Sequence, residues 1–189
     1  QLTMTMEELE KRIDRLESIE EIKQLQAKYF RCLDTKQWDE LGTVFAPKFH
    51  TAFSDGRLVF DHFEGEDGLK KYYMDNMGIQ ISQHNGHTPE IKVAEDGQTA
   101  EGTWYLHDYL IVPLPKHEFG IRGTAIYTIG YVRVDGAWKI GSIGYKRIYE
   151  ESWLRDDPSK PHRITENMFT FTGEHKGSVT IQGDKELKK

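Results

Sequence analysis

A single cysteine, Cys32, stands among the 189 residues. No disulfide can form within the chain, and a cysteine-rich zinc site is excluded. Cations are also scarce: 25 Lys and Arg stand against 31 Asp and Glu, for a net charge of −6. A nucleic-acid binder needs clustered cations to meet phosphate, so this balance argues against that class. No apolar run approaches the ~20 residues that span a bilayer. The first residues carry no apolar signal core. They read as a trimmed or added start, Gln1-Leu2-Thr3 before Met4. The expectation is a cytoplasmic protein without membrane insertion. Also missing are a Gly-rich phosphate loop, a Gly-x-Ser-x-Gly elbow, a His-Glu-x-x-His pair and an EF-hand loop. The chemistry to expect therefore needs no metal and no cofactor.

What is present suffices for a core. Hydrophobic residues make up 37% and aromatics 12%, and a chain of this length buries roughly 70% of its unfolded surface in one domain. Met6, Leu9, Ile13 and Leu16, then Ile19, Ile22, Leu25 and Tyr29, recur at helical spacing. Ser18 with Glu21 fits a capping box, which predicts a break there. The polar stretch 5–17 fits a helix on the domain surface or one against another subunit. A second helix is expected over 36–45, stopped by Pro47. A hairpin follows from Phe49 to Phe63, and a third helix from Glu66 to Met77. Long strands are expected near 79–93, 98–113, 119–134 and 137–150, with turns at Asp96-Gly97 and Asp135-Gly136. Helices first and an antiparallel meander after them make an α+β pattern. Gly123, Gly130, Gly141 and Gly144 suggest bends or bulges, and a strongly curved sheet around N-terminal helices makes a cone.

A few side chains can do chemistry. Asp108 shares a strand face with Trp104, Leu106 and Leu110. A buried carboxylate needs a partner, structural or catalytic. His84 and His87 are three residues apart, so a regular strand sends them to opposite faces and speaks against a shared metal. Parity with Ile91 and Val93 turns His87 inward; a bulge near Gly86 or Pro89 would turn His84 inward instead. Tyr29 lies on the apolar stripe, as a core residue or a hydroxyl donor. Asp34 faces the negative end of the first helix. That placement hints at a role, or Asp34 simply caps the next helix. Acid/base work by His, Asp and Tyr in an apolar pocket remains.

Four blocks carry a family resemblance. They are Lys28 to Leu41, His84 to Ile91, Trp104-Tyr105-Leu106-His107-Asp108, and Gly144 to Glu151. Residues 6–165 resemble the SnoaL-like proteins of the nuclear transport factor 2-like (cystatin-like) fold, most of all the bile acid 7α-dehydratases. The resemblance implies one dehydratase domain over 1–165 and a polar tail over 166–189. It implies catalytic roles for Tyr29, Asp34, His84 and Asp108, with Asp108 as the partner of His84 and with the bulge that turns His84 inward; Asp34 is the other carboxylate that could orient the ring. Phe53, Trp104 and Arg147 become substrate-contacting positions, with Phe53 replacing an expected tyrosine. The implied reaction removes the 7α-hydroxyl of a 3-oxo-4-ene bile acid or related steroid, as free acid or coenzyme A thioester. The implied assembly is a homotrimer. A polyketide cyclase or ketosteroid isomerase on the same scaffold is the alternative, as is a non-catalytic ligand-binding or interaction module.

Overall fold

The computed structural model describes residues 4–53, 63–64, 73–75 and 77–160, without the side chains of 50–53 and 63–64. The expected hairpin tip, most of the expected third helix and the tail over 166–189 lie outside the described residues. Helix α1 runs unbroken over Met6–Asp34. Its capping box is Thr5 with Glu8, one turn from the start. Ser18 is no cap: its hydroxyl donates back to the Asp14 carbonyl at 2.7 Å and accepts from Arg133 at 2.8 Å. Arg133 also meets Asp14 at 3.0 Å. The serine that suggested a helix start is instead the anchor of α1 on the sheet, and it is fully buried.

Helix α2 is short, Trp38–Gly42. Pro47 does not stop it; the chain has already entered strand β1, Phe45–Phe53. Proline is tolerated there because β1 pairs with β2 (Phe63–Glu64) and with the last strand at Phe45 and from His50 onward. The long strands follow as β3 (Ile81–Val93), β4 (Thr99–Pro113), β5 (Glu118–Val134) and β6 (Ala137–Leu154). The order across the sheet is β2-β1-β6-β5-β4-β3. The four long strands form the expected antiparallel meander, while β1 adds parallel to β6, so the sheet is mixed.

The inner face of this curved sheet receives α1. Ile22, Tyr29, Phe30, Cys32 and Leu33 of the helix are buried against Trp104, Leu106, Tyr127 and Ile129 of the strands. Gly86 makes the approach possible: a Cβ there would stand 2.5 Å from the Phe30 ring and 3.1 Å from that of Trp104.

Within the four long strands, register shifts fall at His87/Glu90, Thr124/Ala125 and Gly130/Tyr131. An extra residue reverses the alternation of faces beyond it. The first shift passes through Thr88, held at φ 43°. Parity read back from Ile91 and Val93 therefore fails at this point, and His84 turns inward while His87 is exposed. The second shift leaves Ile148 unpaired on β6 and keeps Arg147 opposite Ala125, on the inner face.

Candidate active site

Asp34, at the last residue of α1, reaches the inner face of β3 and takes hydrogen bonds from it. The Ser82 hydroxyl donates to Oδ1 at 2.9 Å, the His84 backbone N–H to Oδ2 at 2.8 Å, and His84 Nδ1 lies 2.7 Å from Oδ1. Three donors offset the unfavourable end of the helix dipole that the carboxylate faces. Asp34 caps nothing: α2 starts at Gln37 without a side-chain cap, and the Thr35 hydroxyl donates back to Arg31.

The chemistry of the pair follows from valence. An ionised carboxylate only accepts, so the proton in the Nδ1 contact belongs to the imidazole. Neutral His84 is thereby the Nδ1–H tautomer, with the Nε2 lone pair as its basic site. Among the described residues no partner takes Nε2. The His84 side chain is 7% exposed and that of Asp34 20%. A base with one nitrogen fixed and the other open is the arrangement that proton transfer needs.

Asp108 stands directly across from His84 in the β3–β4 register. It does not hold the ring. Both its oxygens are taken by Arg147, at 2.7 and 2.8 Å, a two-pronged pair with side chains 3% and 13% exposed. Gly123 leaves room for the guanidinium, since a Cβ there would lie 3.1 Å from Arg147 Nη1. Of the two carboxylates expected near the histidine, Asp34 orients it and Asp108 fixes Arg147.

Tyr29 is buried, and its hydroxyl lies 3.2 Å from that of Tyr73. Burial pushes its pKa well up, as do Tyr73 and Tyr127 nearby. Burial raises Tyr73 to about 12 as well. Both phenols are therefore neutral O–H groups at ordinary pH. Sequence reasoning missed Tyr73 and Tyr127. Trp104 is placed in the core, its indole N–H donating to Tyr131 at 3.0 Å, and Tyr131 donating to Gln26 at 2.9 Å. The backbone of Phe53 pairs with Tyr145 at the end of β1, and its side chain lies outside the described residues. Among the described residues no three His, Cys, Asp or Glu side chains are gathered as metal ligands, and no helix is long and apolar enough to cross a membrane. A groove between α1 and the β3–β4 turn, lined by Glu10, Asp14 and Asp96, lies far from this site: Asp14 and Asp34 are about 30 Å apart along the helix.

The family model described as the SnoaL-like domain matches residues 14–143. The chain belongs to the SnoaL-like family. Solved structures agree on the fold. A scytalone dehydratase-like protein from Novosphingobium aromaticivorans superposes with a TM-score of 0.62 at 18% identity, over 81% of this chain and 98% of that one. The hexachlorocyclohexane dehydrochlorinase LinA-type3 from Novosphingobium barchaimii gives 0.61 at 19% identity, over 75% and 93%. At such identities the likeness speaks for a SnoaL-like architecture alone.

The ion pair beside the histidine makes a stability prediction. Arg147→Met strands a buried carboxylate and should cost about 3–5 kcal/mol. Adding Asp108→Asn should restore most of the loss. Urea midpoints of the single and double variants measure both effects.

Proposed function

We propose that this SnoaL-like protein is a cofactor-independent dehydratase of 3-oxo-4-ene steroids carrying a 7α-hydroxyl, the bile acid 7α-dehydration that its sequence resembles. The observation that carries the reading is the His84–Asp34 contact at 2.7 Å, with Nε2 left as the base. A non-catalytic module would have no use for an inward histidine with one nitrogen fixed on a carboxylate.

The substrate's enone makes the C6 proton acidic, because its loss gives a conjugated dienolate. His84 Nε2 takes that proton as the C6–H bond breaks, and the electron pair moves toward the C3 oxygen. The imidazolium, held by Asp34, then gives the proton to the C7 oxygen. The C7–O bond breaks, water leaves and the 4,6-diene remains. No electrons are gained or lost, so the residues present account for the whole balance.

The Tyr29–Tyr73 pair meets the C3 oxygen. When substrate enters, one of these hydroxyls turns to donate to that oxygen. That bond strengthens as the oxygen gains charge, and only such strengthening speeds the reaction. Arg147, locked on Asp108, sets a fixed ion pair on the same inner face. Trp104 bounds the pocket from within the core, and Phe53 lies at its β1 side.

The assembly proposed is a homotrimer. Met6, Ile13 and Leu16 on α1 are 70%, 45% and 66% exposed, and Tyr105 and Ile148 on the sheet are 51% and 56% exposed. Apolar surface of this extent is better covered by a neighbouring subunit than by water. Light scattering at micromolar concentration should give a mass three times that of the chain; a monomer mass removes this part.

Incubation with a 3-oxo-4-ene 7α-hydroxysteroid should generate the longer-wavelength ultraviolet band of a 4,6-diene. His84→Ala should lower kcat/KM by roughly 10²–10⁴-fold at an unchanged melting temperature. The exposed His87, replaced by Ala, should leave turnover near the wild-type value. Loss of less than about tenfold in His84→Ala would take the base role away from that residue.

A further inference from the structure

Lys36 lies two residues beyond Asp34, and its ammonium reaches back toward the same cluster. Its Nζ donates to the Leu33 carbonyl at 3.4 Å and to the Ser82 hydroxyl at 3.3 Å, and it stands 5.7 Å from the centre of the Trp38 ring. The backbone at Lys36 is left-handed, φ 61°. A lysine gains nothing locally from that conformation, which glycine adopts without strain. A strained position kept by a non-glycine side chain points to the side chain's own use.

The use follows from what each group can donate. Ser82 Oγ has one proton and two lone pairs; an ammonium has protons only. The Lys36 contact fills a lone pair of Ser82, so the hydroxyl proton must point elsewhere, and it points to Asp34 Oδ1 at 2.9 Å. The same oxygen receives His84 Nδ1–H. Lys36, Ser82, Asp34 and His84 thus form one chain of bonds in which donation converges from both ends on the Asp34 carboxylate.

We propose that Lys36 is a positioning residue of the site, whose ammonium holds Ser82 turned toward Asp34 and so fixes the carboxylate that orients His84. The role rests on the site proposed above but not on the identity of the substrate. It adds a second state to the site. Burial pulls the Lys36 pKa down from the ordinary 10.5 to about 8, with the Asp34 charge pulling it back up. Below that value the ammonium can only donate and the chain of bonds is complete. Above it the free amine can accept, Ser82 can turn to it, and Asp34 loses a donor. The charged and titratable groups facing this cluster are Asp34 from α1, His84 from β3, Asp108 from β4, and Arg147 with Glu150 from β6; Arg147 is held by Asp108 and by Glu150 at 3.1 Å. Asp34 is the charge that acts on Lys36 itself.

The test is a pH titration of the His84 ring nitrogens by NMR in the full chain carrying 15N-labelled histidine, with His84→Ala used to assign the signals. Beside the ring's own titration, wild type should show a second inflection near pH 8. Lys36→Arg keeps the charge at every pH and should lose that inflection. Lys36→Gly, unstrained at this φ, should lose it too while shifting the Nδ1–H signal toward its weaker-bonded position. Ser82→Ala should lose most of it, because the coupling passes through the hydroxyl. No inflection in wild type, or one that survives in Lys36→Arg, overturns the proposal. One that survives in Ser82→Ala means charge proximity alone and overturns the relay. In the diene assay kcat should fall about tenfold above pH 8.5 in wild type, with KM little changed, and stay level in Lys36→Arg. A wild type that forms no diene would sink the dehydratase reading while the ring-nitrogen titration still decides this one.

Discussion

The clasp between Asp34 and β3 is the constraint on which the rest of the structure turns. It joins residues 50 positions apart, so it can form only once α1 has docked on the sheet. Docking requires Gly86, where a side chain would strike Phe30, and the shift at Thr88, without which His84 would face outward. The clasp in turn settles the histidine's tautomer. A single carboxylate at a helix end thus links the packing of the core to the proton inventory of the site. It also explains why an acid occupies a position that the helix dipole disfavours.

Much of the architecture was legible in the sequence. The four long strands were expected at 79–93, 98–113, 119–134 and 137–150, close to their observed bounds, because β-rich runs between Asp-Gly turns are strong local signals. Local signals misled where a long-range contact took over a residue. Ser18 looked like a helix start, yet Arg133, 115 positions later, claims its oxygen. Pro47 looked like a helix stop, and an irregular stretch of strand accommodates it. Of the site, the inward histidine and its carboxylates were named from a resemblance that pointed to Asp108 as the partner, whereas Asp34 takes the ring. Asp34 and Asp108 both lie within reach of His84 in any reading of the motifs. Only Arg147, brought inward by the extra residue at Ile148, removes Asp108 from contention for the ring.

The site divides into a mobile proton and fixed charges. The His84 ring is held through Nδ1, and the tyrosines stay neutral because burial raises their pKa values. Asp108 and Arg147 neutralise each other in a two-pronged pair. Such fixed dipoles and charges need no reorganisation during a reaction, which is the main source of electrostatic rate enhancement. The same arrangement suits any activated carbon acid, so the SnoaL-like scaffold can serve several eliminations.

The central claim is that Asp34 and His84 work as one unit. Rates of diene formation in Asp34→Ala, His84→Ala and the double variant test it most directly. Residues that act as a unit give losses that do not multiply. The account predicts that the double variant is no slower than His84→Ala alone. Losses that multiply, or a wild-type protein that forms no diene, would contradict it.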